Sequence, residues 1–443
     1  MEHHYSAALE LLKQSTQGPP RDRRQLEILM GLGTARLGSK GLAHPQTHRA
    51  FSDAQQLCET LGEPDLLIAA VGGLSSSALG GGRMDLSEDL AQRMLRLATV
   101  SRDRRLLFWA HLHLAQVLLL RGEYAKTQEH LNDAGEYLHA CDSGRSGFNG
   151  HESRPALETH MVIWQPSDTS PALKAWEADV ALHLGFPDHA LRLSREAVQM
   201  AEHGGNWYYR GAVHVCAFCL YDILRDARGV REHADALIPI AEESPYFRSY
   251  TDFCASRAFL AFGQIEEAKD RLSRAVSLNE AVGYRLLRSA ELLTEAEICA
   301  IEGKLDDGLE LLAEAMREAE QVGYAKPPIM ILRANLLVRS DSSESEIEQA
   351  YRSAIECVRA QGNKFAELEA TTHFARWLSS QGRNAQAHGM LSAIYNWFTE
   401  GFETLALKEA NALLDQIKKT IGPTTNGKRY YRRTSYPASR LTE

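Results

Sequence analysis

One pattern, repeated at near-constant intervals along most of the chain, constrains this sequence more than any other feature. The segments "AVSLNEAVGY" (275–284) and "AMREAEQVGY" (315–324) both begin with Ala, carry an apolar residue next and end in Val-Gly-Tyr. "AIECVRAQGN" (354–363) follows at nearly the same interval, and "AQQLCETLGE" (54–63) and "AVQMAEHGGN" (197–206) have the same form upstream. The small residue lets two helices approach closely, and the glycine ends a helix in a left-handed conformation at little steric cost. A second set of joints falls between these: "RGEYAKT" (121–127), "LGFPDHA" (184–190), "FGQIEEA" (262–268), "EGKLDDG" (302–308) and "QGRNAQA" (381–387). Each follows an apolar helical stretch and opens another. The unit is therefore helix, turn, helix, turn. Neither helix can bury its apolar stripe alone, so neighbouring units must stack. The period is longer than that of the tetratricopeptide repeat. The fold class expected is all-α, a right-handed superhelical solenoid of about nine tetratricopeptide-like helical hairpins.

The organisation expected is N-terminal hairpins over 1–140, a long irregular loop over 141–170, C-terminal hairpins with an end cap over 171–421, and a disordered basic tail over 422–443. The tail carries five Lys/Arg against one Glu and shows no periodicity. A structureless loop of that length inside an array is uncommon and is often functional. The end cap is expected at "MLSAIYNWFTEGF" (390–402), where Tyr395, Trp397, Phe398 and Phe402 precede a last helix over 403–417. An array needs such a cover for the apolar face of its final repeat. A packed cap is the expectation; an aromatic ligand box is the alternative.

Net charge of −9 argues against non-specific nucleic-acid binding over the whole surface. No apolar run approaches the ~18–20 residues a membrane span needs, and the amino terminus does not read as a secretory signal. The seven cysteines show no disulfide framework, which suits reduced thiols in a cytoplasm. No catalytic residue, metal site or cofactor is implied. "GLGTARLG" (31–38) lies in a helical pattern, whereas a dinucleotide fingerprint needs strand, turn, helix. "LGGGRMD" (79–85) reads as an inter-helix turn. Cys216 and Cys219, with His214 just before, lack the second ligand pair a zinc site wants, so they read as core thiols. His111 and His113 point about 200° apart on a helix, and at least one should face a surface or groove.

The candidate binding residues are basic and aromatic. Arg248 precedes Gly263 by fifteen residues, and Arg288 precedes Gly303 by fifteen; Arg210 holds a similar early position. Equivalent positions on stacked hairpins line up, and first helices usually line the concave groove. With Trp207, Tyr208, Tyr209, Tyr246 and Tyr250 beside them, these arginines could hold an acidic peptide or anionic group. The bland alternative is a solvated face paired to Glu242, Glu243 or Glu291.

Two stretches carry more than a generic repeat: 26–63, beginning "LEILMGLGTARLG", and 367–417, ending "YNWFTEGFETLALKEANALLDQI". They resemble the carboxy-terminal helical-repeat region of large bacterial signalling proteins, in which an adenylate/guanylate cyclase or other output domain precedes a STAND-type AAA+ ATPase. The segments 184–201 and 302–323 fit as well, so the resemblance spans about residues 5–418. The chain departs from that family in three ways. It has no G-x-x-x-x-G-K-[ST] phosphate loop and no cyclase metal motif, and it reads "QPSDTSP" (165–171) where the family tends to have a Gly-Asp-Pro-Gly turn. The resemblance implies a sensor or scaffold that binds a protein segment or small signal and regulates an ATPase/cyclase or transcription partner, in cis or in trans. From charge and hydropathy, no direct contact with nucleic acid or membrane is expected. Two alternatives stay open: a fragment of a multidomain ATPase/cyclase, and a helical-repeat enzyme with an unrecognised site.

Overall fold

The structure is a computed structural model; it describes residues 1–14, 17–142, 166–204, 207–243 and 245–421. The described residues form helices and turns, with no strand among them. A short α1 (Glu2–Leu12) leads into nine helical hairpins: α2 (Pro19–Lys40) with α3 (Pro45–Leu61), α4 (Pro64–Gly80) with α5 (Met84–Ser101), α6 (Arg104–Leu120) with α7 (Tyr124–Asp142), α8 (Pro166–His183) with α9 (Pro187–His203), α10 (Trp207–Ile223) with α11 (Ala227–Glu243), α12 (Arg248–Ala261) with α13 (Ile265–Val282), α14 (Arg288–Glu302) with α15 (Leu305–Glu318), α16 (Lys326–Arg339) with α17 (Glu344–Ala360), and α18 (Lys364–Ser380) with α19 (Asn384–Tyr395). A final helix, α20 (Leu405–Ile421), closes the array. This is the all-α solenoid that the repeat implies.

The repeat signals act as expected. The leading alanines of the five recurring segments, Ala54, Ala197, Ala275, Ala315 and Ala354, are at most 1% exposed. So are Thr127, Ala190, Ala268 and Ala387, which close four of the second set of joints. Small, buried side chains at these joints suit close packing of neighbouring helices. The turn glycines Gly263, Gly303 and Gly382 have φ of 72°, 80° and 76°, a conformation that costs a residue with Cβ. Helix starts are equally legible. Ser343 caps α17 in a capping box with Glu346, and Ile347, Ala350, Tyr351, Ala354, Ile355 and Val358 then bury one helical stripe. "GLGTARLG" is helical, inside α2, where Gly33 admits the ring of Phe51. Gly81–Arg83 form the turn expected at 79–85.

The boundaries of the expected long loop need correction. Helix α7 runs to Asp142 and α8 begins at Pro166, so 141–142 and 166–170 are helical; 143–165 lie outside the described residues, as does the tail 422–443. Pro171 is accommodated within the second turn of α8.

The array coils until one superhelical turn touches the next, at a constant offset. Each turn inside a hairpin meets the connection that leaves the hairpin four further on. Gly41, in the first hairpin, lies against Tyr246, between the fifth and sixth. In the second, Gly80 O accepts from the backbone N–H of Arg285 at 2.8 Å, between the sixth and seventh. The third hairpin's Arg121 packs its backbone on Gly323, and His183 of the fourth hydrogen-bonds Asn363 at 3.0 Å. The seam ends at the cap: Gly401 N–H donates to Asp188 at 2.9 Å, and His189 N–H donates to Glu400 at 2.9 Å.

That seam corrects one part of the end-cap reading. Phe398 is buried, at 4% exposed, and packs with α20; Trp397 and Phe402 are 40% and 45% exposed. Trp397 lies instead across Gly185, where a Cβ would meet its ring at 2.4 Å, with Phe186 alongside and the Lys364 ammonium 5.7 Å from its centroid. The tryptophan joins two superhelical turns rather than plugging the last repeat.

Candidate functional site

First helices of the later hairpins face inward. From the fifth hairpin to the ninth they enclose a cavity of about 540 Å³. Its wall is mostly apolar: Phe218 from α10, Phe253 and Leu260 from α12, Leu287, Ala290 and Leu293 at α14, Pro327 and Ile331 from α16, and Phe365 from α18. His183, the last residue of α8, reaches it from the preceding superhelical turn. Concave, largely apolar, with a few convergent polar groups, this is the type of space that takes a ligand.

The polar groups are organised around one guanidinium. Arg257 donates Nε and Nη2 to the two carboxylate oxygens of Asp222, each at 3.1 Å, and Nη1 to Glu297. Burial works against the Arg257 charge, but the two carboxylates outweigh it and raise its pKa. Glu297 titrates above the usual carboxylate range because burial outweighs the arginine beside it. These three residues lie on three consecutive first helices and so bridge the fifth, sixth and seventh hairpins. A second cluster begins three residues beyond Asp222, where the backbone N–H of Arg225 donates to the Asp222 carbonyl oxygen at 3.0 Å. Arg225 forks onto Glu409 of the cap at 3.2 and 2.8 Å, and its Nε lies 3.7 Å from Glu369. Burial pushes the Glu369 carboxyl up to about 7, with Arg225 only partly offsetting it and Glu409 adding to the rise.

The candidate residues read from the sequence fall outside this cavity: the aromatics and Arg248 come together, while Arg210 and Arg288 stand apart from that space. Arg288 is ion-paired on both sides: Nη2 bonds Glu314 at 3.1 Å and Nη1 lies 3.8 Å from Glu291. This is the bland ion-pair arrangement for that position. Arg248 is exposed and lines a separate space of about 140 Å³ with Tyr250, Tyr246, Tyr284 and Lys40. Arg210, half-buried on α10, borders neither space. The aromatics belong to the superhelical seam. Trp207 touches Gly38, Tyr208 stacks on Tyr246, Tyr246 packs against Tyr250, and the hydroxyls of Tyr250 and Tyr284 are hydrogen-bonded to each other. Burial pushes the Tyr208 phenol up to about 12 and those of Tyr246, Tyr250 and Tyr284 well above their usual value. These rings glue the turn formed by the first two hairpins to the turn formed by the fifth to seventh.

Sequence reasoning passed over Asp222, Arg225, Arg257, Glu297 and Glu369. One signal was available. Arg257 and Glu297 are separated by one full period, and each precedes its turn glycine by six.

The remaining sequence candidates, two thiols on α10 and two histidines on α6, lie away from one another. Burial, with the Asp179 carboxylate adding to it, raises the Cys216 thiol to about 12, and Cys219, in the cavity wall, is raised further by burial and Cys254. His113 is 1% exposed in the core, whereas His111 looks toward α7.

No protein-family model matches the sequence, and no curated protein does. Solved structures share the fold. A Rap protein complexed with competence and sporulation factor superposes with a TM-score of 0.50 at 12% identity, over 90% of this chain and 98% of that one. A STAND protein with a tetratricopeptide repeat sensor from Pyrococcus horikoshii gives a TM-score of 0.42 at 14% identity; the match covers 92% of this chain and 55% of that one. Human IFIT1 with m7Gppp-AAAA gives 0.48 at 12% identity, over 88% of this chain and 80% of that one. Such low identities speak to fold alone. Among the described residues, no helix is long and apolar enough to cross a membrane.

Proposed function

We propose that the chain is a non-catalytic sensor or scaffold whose central cavity receives a segment of a protein partner. The observation that carries this reading is the 540 Å³ space enclosed by the first helices of five consecutive hairpins. Its apolar walls suit aliphatic or aromatic side chains. The Asp222–Arg257–Glu297 bridge at its centre offers oxygen atoms to a peptide's N–H groups and fixes orientation more than it adds affinity. An inserted segment would touch several hairpins at once, so occupancy would stiffen the whole superhelical turn. That coupling gives a means of signalling to a second partner. A Rap protein of like fold was solved in complex with competence and sporulation factor, which is consistent with a binding role for such an array. Regulation of an ATPase/cyclase or transcription partner, in a bacterial cytoplasm, belongs to the same proposal and rests on the resemblance of 26–63 and 367–417.

The test is affinity capture with the wild-type chain and with Ala290→Trp, which fills the cavity. A partner held by the wild type and lost on Ala290→Trp, with the helical circular dichroism unchanged, is expected. A partner retained by Ala290→Trp but lost on Arg248→Ala with Lys40→Ala would move the site to the smaller space and overturn the reading.

A further inference from the structure

Three hairpins place a polar pair at one equivalent position, first helix to second, with the same sequence separation: His111–His130 in the third, His214–His233 in the fifth and Asp252–Arg271 in the sixth. The last is a salt bridge of 2.8 Å, complete in itself. The two histidine pairs bring Nδ1 to Nδ1 at 3.0 and 3.1 Å, so in each pair at least one nitrogen must present a lone pair. In the fifth hairpin that requirement is met within the pair. Glu202 binds Nε2 of His214 at 2.9 Å and fixes the proton there, leaving its Nδ1 to accept from His233. Both rings are buried, at 4% and 5% exposed. The chain of hydrogen bonds is closed.

The third hairpin differs in where its carboxylate sits. Asp133 Oδ2 lies 3.3 Å from Nδ1 of His111, the same nitrogen that faces His130. Asp133 follows His130 by three residues and shares its face of α7. Two imidazole nitrogens and one carboxylate oxygen thus converge, all within 4.8 Å of one another. With metal–ligand bonds of about 2.0–2.1 Å, the edges of a tetrahedral site measure roughly 3.3 Å. Two of the three separations, 3.0 and 3.3 Å, are close to that edge, and the third lies within 4.8 Å. His111 is 12% exposed and Asp133 51%, so a fourth position would open toward solvent. An N₂O donor set with one open position suits a borderline divalent ion better than calcium or magnesium, which take oxygen ligands.

We propose that His111, His130 and Asp133 form a zinc-class divalent metal site that clips α6 to α7 in the third hairpin. The site lies outside the central cavity and does not depend on the peptide-binding reading. An ion bound there stabilises the folded array by mass action, and the third hairpin first of all.

The full chain, stripped with a chelator, is titrated with Zn²⁺ alone by calorimetry, and its Tm is followed in parallel. One tight site per chain and a higher Tm are expected. Asp133→Asn, at an exposed position where folding is not at issue, and His130→Gln should each weaken that site by at least about tenfold, since loss of even an outer-shell partner costs that much. His3→Ala with His4→Ala, removing the exposed pair at the amino terminus, should leave it intact. The proposal falls if the wild type takes up no stoichiometric ion. It falls equally if Asp133→Asn and His130→Gln bind as tightly as the wild type, or if the site disappears with His3 and His4.

Discussion

Arg257 and Glu297 occupy equivalent positions on consecutive first helices and are joined by a hydrogen-bonded ion pair one repeat apart, with Asp222 gripping the other edge of the same guanidinium. One arginine thereby ties three hairpins together at the wall of the central cavity. Arg257→Met would leave two carboxylates facing each other at a partly desolvated site. Breaking a buried pair costs about 3–5 kcal/mol; with the two acids 26% and 28% exposed, a loss of about 2–3 kcal/mol in urea unfolding is expected. Adding Asp222→Asn and Glu297→Gln to that variant should restore most of it. A single variant within about 0.5 kcal/mol of wild type would mean that solvent screens the bridge.

The superhelical seam gives a backbone test. A Cβ at Gly323 would meet the carbonyl oxygen of Arg121 at 1.9 Å, so two turns of the array would have to part. Gly323→Ala should cost more than about 2 kcal/mol and should accelerate hydrogen exchange around both 121–123 and 323–326. Gly135→Ala, on α7 with nothing near its new methyl, should instead stabilise by about 0.4–1 kcal/mol. Equal effects of the two changes would count against contact between the turns.

At the cap, Phe398→Ala should cost about 3–4 kcal/mol and Trp397→Ala clearly less, because only the first is buried. The loss at Phe398 should fray the cap first, together with the seam contacts it holds at Asp188 and His189. Trp397→Ala should loosen the contact at Gly185 as well, which hydrogen exchange of 184–190 would show. Unchanged exchange there would mean that the indole only rests on the surface.

How far the sequence carried these features depends on the range of each interaction. Hairpins were legible because their causes are local: a left-handed glycine at Gly263 or Gly303, a capping box at Ser343, an alanine such as Ala275 at each close approach. The seam was not, since Tyr284 and Gly80 belong to different superhelical turns and share no periodic mark. The same gap explains why Trp397 was read as a plug. The arginine spacing marks the same period as the cavity's ion pair but lies on another face of the first helices. Arg257 and Glu297 follow Arg248 and Arg288 by nine residues, which is half a rotation around a helix of about 3.6 residues per turn. A spacing of one period says that two side chains align; it does not say toward which side.

The buried histidines should make the chain lose stability as pH falls below 6.5. Burial holds the His113 imidazole down at about 4, against an ordinary value of 6.5, so the folded state keeps it neutral while the unfolded chain protonates it. The stability it protects is fully present above pH 6.5 and is lost as pH falls toward 4, by up to about 3 kcal/mol. His233, lowered to about 4 by burial and by His214, adds in the same window. Glu369, raised to about 7, acts oppositely and gains stability as pH falls through 7. His113→Leu should therefore flatten the acid limb of a pH–stability curve between 6.5 and 4 while changing little at pH 8. An unaltered acid limb would place the titration elsewhere.

The central claim concerns where a partner enters. A photo-crosslinking residue placed at Leu293, in the cavity wall, is compared with one at Ile238, half-exposed on the second helix of the fifth hairpin. Crosslinks to a protein segment from position 293, absent from 238 and suppressed when Ala290→Trp fills the cavity, are the expected result. Crosslinks from 238 alone, with 293 silent in the presence of the same partner, would contradict it.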